Sequence, residues 1–162
     1  MILEGFEIEN EIDALINFKT YYKTQSPGVY ALKLNSDGCL NGFNKDKLQD
    51  YCDNLTDNIL YIGTTGCLTG RINNNHLGNN AAVSTLRRTI GWFMNMKIDS
   101  KKHFTKDEEK IITDWLLKNT HFEIIETTTK QEADELEESF IQKIKPPFNI
   151  DKRENAIKRS FK

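Results

Sequence analysis

Apolar positions along the chain follow two different periods, and each period predicts one type of element. Apolar residues three and four positions apart predict six helices, over 8–19, 45–54, 68–77, 83–96, from Thr105 onward, and from Thr129 to about Lys145. Continuous or alternating apolar residues predict three strands, over 29–34, 59–63 and 121–127. Three short strands wrapped by about six helices make an α+β domain.

Local signals set the boundaries of the last two helices. Thr105 with Glu108, and Thr129 with Glu132, have the spacing of a capping box. In that motif a threonine and a glutamate satisfy free N–H groups at a helix N-terminus. Two prolines after Lys145 end the final helix, because a proline disfavours helical geometry in the residue before it.

Composition narrows the class of protein. The chain has 162 residues, of which 38% are hydrophobic and 28% are charged, as expected for one soluble domain with one core. No apolar run approaches the roughly 18 residues of a membrane span, and the first residues do not have the pattern of a signal peptide. We therefore expect a cytoplasmic protein without membrane contact. The three cysteines are widely spaced and odd in number, so they predict neither a disulfide framework nor a zinc site.

The net charge of −2 conceals a segregation of charge along the chain. Residues 61–106 hold seven basic residues against one acid, and residues 142–162 hold seven against two. Residues 107–141 hold three basic residues against eleven acids. Because phosphate binding requires a local basic surface rather than a basic protein, the pattern permits nucleic-acid binding. Solvated helix faces would give the same blocks.

Two short motifs occur on the first two predicted strands. Gly28-Val29-Tyr30 opens the first strand and Tyr61-Ile62-Gly63 ends the second. Four further polar residues follow at characteristic distances: Arg71, His76, Glu137 and Asn149. Arg71 comes ten residues after Tyr61, and Glu137 comes twelve before Asn149.

Together these positions resemble the GIY-YIG nuclease family. The stretch Ser84-Thr85-Leu86-Arg87-Arg88-Thr89-Ile90-Gly91 also looks like a subgroup of its small, stand-alone bacterial members. Val29 replaces the isoleucine of the first motif, and His76 lies five residues after Arg71 where the family has four. The resemblance implies a mainly antiparallel sheet. It divides the chain into an N-terminal helical extension (1–27), a nuclease-like domain (28–150) and a basic C-terminal tail (151–162).

The resemblance implies an endonuclease that hydrolyses DNA with Mg²⁺ or Mn²⁺, and Glu137 is the expected metal ligand. A single carboxylate with phosphate oxygens and waters is adequate for Mg²⁺, which keeps much of its hydration. Helical spacing places Glu137 on the side of Ala133, Phe140 and Ile141, toward the core. Glu138 falls on the solvent face. The alternative is that Glu137 is one more charge in the acidic run 132–138.

Tyr30 and Tyr61 are expected near the scissile phosphate, whose oxygens suit the guanidinium fork of Arg71. A tyrosine with a pKa of about 10 is roughly 0.1% ionised at pH 7. It acts as a base only if a cation lowers that pKa or a metal-bound water takes part, and Arg71 and the metal would supply such a field. Three alternatives stay open: which tyrosine accepts the proton, whether His76 or Asn75 fills the histidine position, and whether Asn149 is catalytic or a structural anchor.

The expected partner is DNA, including branched, damaged or single-stranded forms. Five basic residues are candidates for contacts to its backbone: Arg87, Arg88, Lys97, Lys101 and Lys102. Such contacts give affinity without sequence specificity. The flanking segments are too short for a second domain, so we expect weak sequence specificity or targeting by a partner protein, with monomer or homodimer left open. Two rival classes are a binding module that kept the fold without the chemistry, and an acidic-faced protein-interaction domain.

Overall fold

The computed structural model describes residues 2–3, 6–7, 19–21, 23–51 and 55–150. The strands are β1 (Ile2–Leu3), β2 (Phe6–Glu7), β3 (Lys19–Thr20), β4 (Gly28–Leu34), β5 (Ile59–Thr65) and β6 (Thr120–Glu126). The α-helices of the described part are α1 (Lys45–Tyr51), α2 (Thr85–Phe93), α3 (Lys106–Asn119) and α4 (Lys130–Ile144). A π-helix runs over Gly70–His76, and short 3₁₀ turns lie at Thr56–Asn58 and Ala81–Val83.

The main sheet has the order β3-β6-β4-β5, and all of its neighbouring strands are antiparallel. Three seven-residue strands carry it, while β3 adds two residues at one edge. The α+β fold with a three-stranded antiparallel sheet is therefore confirmed, and β3 is an addition. The helix predicted over 8–19 lies outside the described residues, apart from Lys19, which belongs to β3.

The two faces of the sheet are buried against different helices. One face carries Tyr30, Leu32 and Tyr61, which pack with residues of α2 and α3 in the larger core. The opposite face carries Val29 and Ala31, with α4 packed on it through a second apolar cluster. This two-sided burial explains why β4 reads as an almost continuous apolar run rather than an alternating one. No helix in the described part of the chain is long and apolar enough to cross a bilayer.

Both predicted helix caps are present. Thr105 accepts from the Glu108 N–H, and Glu108 in turn accepts from the Thr105 N–H at 3.1 Å. Thr129 likewise accepts from the N–H of Glu132. The Glu132 carboxylate reaches one residue further back, to the N–H of Thr128 at 3.2 Å. These local bonds fix the start of α4, the helix that carries Glu137.

Candidate active site

Strand register brings the two motif tyrosines to one face of the sheet. Tyr30 lies opposite Gly63, and Tyr61 lies opposite Leu32. Because side chains two apart on a strand share a face, Tyr61 is the diagonal neighbour of Tyr30. Their ring centroids are 6.2 Å apart. Tyr30 is fully buried and Tyr61 is 8% exposed, so Tyr61 is the more solvent-accessible of the two tyrosines.

A cleft of about 380 Å³ lies beside these rings. Tyr30, Tyr61, Arg71 and Glu137 all line it. Although α4 packs on the opposite face of the sheet, its Glu137 shares the lining of the cleft with both tyrosines. Glu137 is 6% exposed and Glu138 is exposed, as helical spacing predicted. The same cleft is also lined by Thr64, Thr85, Thr89, Phe148, Asn149 and Ile150.

The π-helix accounts for the spacing between Arg71 and His76. Leu77 N–H bonds the carbonyl of Ile72, five residues back, which is the hydrogen-bond step that distinguishes a π-helix from an α-helix. The wider turn brings residues five apart onto one side. Arg71 Nε lies 3.4 Å from the Tyr30 hydroxyl, and His76 Nε2 lies 2.7 Å from it. His76 therefore contacts the Tyr30 hydroxyl, while Asn75 lines a neighbouring groove.

Burial dominates the electrostatics of both tyrosines. Burial raises the pKa of Tyr30 well above its ordinary value, and the charges of Tyr61 and Glu137 act in the same direction. Burial also raises the pKa of Tyr61, with Glu137 adding to the effect. Arg71 lowers both pKa values, as expected, but burial outweighs it. The field of Arg71 alone therefore does not make either tyrosine a base.

His76 is held as a neutral ring. It is fully buried, and that burial, with the positive charges of Arg71 and Arg87, lowers its pKa well below its ordinary value. Its Nδ1 lies 2.7 Å from Ser84 Oγ. A histidine without charge and with both nitrogens engaged is suited to orient the Tyr30 hydroxyl.

Asn149 clamps the end of the described chain to the outer edge of β5. Its Oδ1 accepts from Ile62 N–H at 2.8 Å, and its Nδ2 donates to Ile62 O at 2.7 Å. The neighbouring Phe148 N–H donates to Leu60 O at 2.9 Å. The side-chain amide thus takes the place of a further strand and covers the sheet edge. Asn149 lines the cleft, but the oxygen and the nitrogen of its side-chain amide both bond the backbone of Ile62, which favours the anchor over a catalytic role.

We expect Asn149→Ala to destabilise the fold. The substitution leaves the buried N–H and C=O of Ile62 without partners, at a cost of about 1–3 kcal/mol for each unsatisfied group. Thermal unfolding measures the result, and a Tm lower by roughly 5–10 °C is expected for a chain of this size. The exposed Asn74→Ala variant is the control. If Asn149→Ala instead unfolds at the wild-type temperature, Asn149 is not the clamp inferred here.

The motif glycines make room for the strands and for Tyr30. A Cβ on Gly28 would lie 2.4 Å from the carbonyl oxygen of Ile125, so only glycine lets β6 approach this closely. A Cβ on Gly63 would lie 2.3 Å from both Cζ and the hydroxyl oxygen of Tyr30. Gly63 therefore leaves the space in which the Tyr30 hydroxyl sits against His76.

We expect Gly63→Ala to displace the Tyr30 hydroxyl and to lower any activity that depends on it. A displacement near 1 Å at a reacting group costs about 100-fold in rate, and overpacking costs about 1–3 kcal/mol in stability. Gly66→Ala is the matched control for stability, because a Cβ there meets nothing within 4 Å. Tm is measured for both variants, and the cleavage rate of Gly63→Ala is compared with that of the wild type. Wild-type activity in Gly63→Ala would show that the position of Tyr30 does not matter.

The predicted DNA-contacting residues separate into different environments. Lys97, Lys101 and Lys102 are exposed between α2 and α3, outside the lining of the cleft. Arg88 is half-buried and donates to the carbonyl of Ala81 at 2.7 Å. A contact between these four residues and DNA stays a prediction.

Arg87 requires a correction, because it does not lie at the surface. It is fully buried, and its Nη2 pairs with Glu109 Oε1 at 3.1 Å. A second nitrogen, Nη1, donates to the carbonyl of His76 at 2.9 Å. A guanidinium enclosed in this way is not available to a DNA backbone. It holds α2, α3 and the end of the π-helix together instead.

The sequence that forms this cleft was compared with models of known protein families. The family model of the GIY-YIG catalytic domain matches residues 28–162, most of the chain. The chain belongs to the GIY-YIG family. No curated protein and no solved structure gave a significant match. The described fold and the cleft thus fall within a GIY-YIG domain, a family whose members are usually endonucleases.

The sequence analysis assigned no role to several residues that line or support the GIY-YIG cleft. Thr64, Thr85 and Thr89 line it, and Ser84 bonds the ring of His76. Ser84 was within reach of sequence reasoning as the N-cap of α2, since serine is favoured there. The three threonines carry no comparable signal, because their shared location exists only after folding.

Proposed function

We propose that this GIY-YIG domain is a divalent-metal-dependent endonuclease that hydrolyses phosphodiester bonds in DNA. The observation that carries the proposal is the cleft itself. Tyr30, Tyr61, Arg71 and Glu137 come from β4, β5, the π-helix and α4, and all four line it. A binding module has no need of a buried carboxylate beside two hydroxyls, whereas phosphodiester hydrolysis has uses for each group.

Each side chain has a chemical part in the proposed reaction. Arg71 is half-buried, and its guanidinium binds phosphate oxygens and offsets the charge that develops on them. The hydroxyls of Tyr30 and Tyr61 orient the attacking water. Because burial raises the pKa of both tyrosines, both are protonated in the free protein at neutral pH.

The donor set fits a hydrated Mg²⁺ or Mn²⁺ held by Glu137. Among the described residues, no group of three or more His, Cys, Asp or Glu side chains could hold a metal ion. One carboxylate in a polar cleft instead suits a hard cation that keeps several waters and takes further oxygens from the phosphate. When bound, such a cation lowers the pKa of a coordinated water and neutralises charge on the phosphoryl group.

The surroundings of the cleft favour a polymeric substrate. A second, more open groove of about 460 Å³ adjoins it and shares Thr64 and Arg71. Asn74, Asn75 and Lys130 line this groove. Two joined polar grooves accommodate the phosphates on either side of a scissile bond, whereas a mononucleotide fills only one. The exposed Lys97, Lys101 and Lys102 would add backbone contacts, which give affinity without sequence specificity.

The test uses purified protein with supercoiled plasmid, single-stranded DNA and branched DNA, in Mg²⁺, Mn²⁺ or EDTA. The expected result is cleavage in either metal and none in EDTA. DNA binding is measured in parallel over a range of salt concentrations. If the protein contacts phosphates, the logarithm of the binding constant falls linearly with the logarithm of the salt concentration. Salt-dependent binding without cleavage of any substrate would favour the binding module. Absence of both would favour a protein-interaction domain.

A further inference from the structure

One buried hydroxyl beside the cleft has no part in the chemistry proposed above. Ser84 is fully buried at the N-terminus of α2. Its Oγ accepts from the Arg87 N–H at 3.1 Å and lies 2.7 Å from His76 Nδ1. Through His76 it is one step from the Tyr30 hydroxyl. Ser84 therefore joins a helix N-terminus to a motif tyrosine of the cleft.

Among the described residues, the Ser84 hydroxyl has one acceptor to which it is able to donate its hydrogen. A serine hydroxyl carries one hydrogen and two acceptor lone pairs, and Arg87 N–H already occupies a lone pair. Among the described residues, the acceptor within hydrogen-bond distance of Ser84 Oγ is His76 Nδ1. A buried hydroxyl left without an acceptor would be costly. Ser84 consequently donates to Nδ1, and Nδ1 carries no proton.

This assignment fixes the rest of the chain of hydrogen bonds. A neutral imidazole has one protonated nitrogen, so the proton of His76 is on Nε2. That N–H donates to the Tyr30 oxygen at 2.7 Å, and Arg71 Nε donates to the same oxygen from 3.4 Å. With two donors directed at its oxygen, Tyr30 turns its own proton away from His76 and toward the hydroxyl of Tyr61, its hydrogen-bond partner at the cleft. The lowered pKa of His76, which follows from burial and two nearby cations, agrees with a neutral ring.

We propose that Ser84 is a positioning residue that holds His76 in its Nε2–H tautomer, so that His76 donates to Tyr30 and the Tyr30 proton faces the cleft. This inference rests on the proposed nuclease function. In the opposite tautomer, Tyr30 would donate to His76 Nε2 and its proton would be directed away from the cleft. The tautomer therefore decides whether Tyr30 presents a donor or an acceptor to the attacking water.

Nitrogen-15 NMR of the uniformly labelled full chain tests the tautomer without any cleavage assay. A protonated ring nitrogen resonates far from an unprotonated one, so the two tautomers of His76 are distinguished directly. Ser84→Gly removes the hydroxyl but keeps most of the helix cap, since glycine is tolerated at an N-cap. Ser84→Thr keeps both the hydroxyl and the cap and serves as the matched control. Steady-state cleavage gives kcat and KM for each protein.

The expected result is Nε2–H in wild type and Ser84→Thr, and a mixture of tautomers in Ser84→Gly. We expect kcat of Ser84→Gly to fall about tenfold with KM unchanged, because the net contribution of one hydrogen bond corresponds to a factor of about ten in rate. Nδ1–H in the wild-type protein would overturn the proposal, and so would a Ser84→Gly variant with wild-type tautomer and kcat. If the wild type cuts no DNA, the nuclease proposal fails, while the NMR spectra still decide whether Ser84 orders the hydrogen bonds as stated.

Discussion

Replacing Glu137 with alanine is expected to lower the rate of metal-dependent DNA cleavage by about a thousandfold or more. Loss of one group that stabilises developing charge already costs about 100- to 1000-fold, and Glu137 is the carboxylate that lines the cleft with Tyr30, Tyr61 and Arg71. The cleavage rate of Glu137→Gln should fall by a similar factor, because glutamine keeps the shape of the side chain and removes its charge. DNA binding in EDTA, where no metal contributes, should survive in both variants.

The neighbouring Glu138 gives a matched control for this prediction. Glu138→Ala removes the same chemical group from the same helix turn, but at an exposed position. Cleavage of plasmid is followed for wild type and all three variants, and circular dichroism confirms that each one folds. Should Glu137→Gln cut at the wild-type rate, or Glu138→Ala lose as much activity as Glu137→Ala, Glu137 would not be the metal-binding carboxylate of the cleft.

The largest expected effect on stability belongs to the ion pair between Arg87 and Glu109. Removing one partner of a buried pair costs about 3–5 kcal/mol, because the other charge is left without compensation. Arg87→Met leaves the carboxylate of Glu109 without its cationic partner, and Glu109 is only 5% exposed. The substitution also removes the bonds from Arg87 to the carbonyls of His76 and Glu109. We expect Tm to fall by roughly 10 °C.

A double variant separates the charge effect from lost packing. Arg87→Met with Glu109→Gln leaves no buried charge at the site, and the glutamine oxygen is still able to accept from Ala81 N–H, as Glu109 does now at 2.7 Å. This protein should be more stable than Arg87→Met alone. The exposed Lys101→Ala variant should unfold close to wild type. A small change in Arg87→Met would show that the guanidinium contributes little to the fold.

Local sequence signals determined most of the elements that carry the site. The sequence predicted the strands β4, β5 and β6, because each is a short run of buried, β-branched or aromatic residues between polar turns. The helices with the clearest caps, α3 and α4, begin where Thr105 and Thr129 placed them. Such signals succeed because capping bonds and apolar periodicity act over only a few residues.

The sequence also selected Glu137 over Glu138, since the burial of a helix face follows from the positions of apolar residues along the same helix. The motif spacing further predicted that Tyr30, Tyr61 and Arg71 belong to one site, and they do line one cleft. The catalytic roles of these residues stay a proposal, and the cleavage experiments above decide them.

The tertiary structure alone decided three features that no local pattern carries. His76 reaches Tyr30 because the segment that contains Arg71 and His76 forms a π-helix. Motif spacing shows the extra residue between them but not how the helix accommodates it. Arg87 was counted as surface charge, yet its partner Glu109 is 22 residues away, and a charge count does not distinguish exposed from buried groups. The tyrosine pKa values rise because desolvation outweighs the field of Arg71. The sequence determined which chemical groups are present and on which elements they lie, whereas packing between distant segments decided their burial, their partners and therefore their charge.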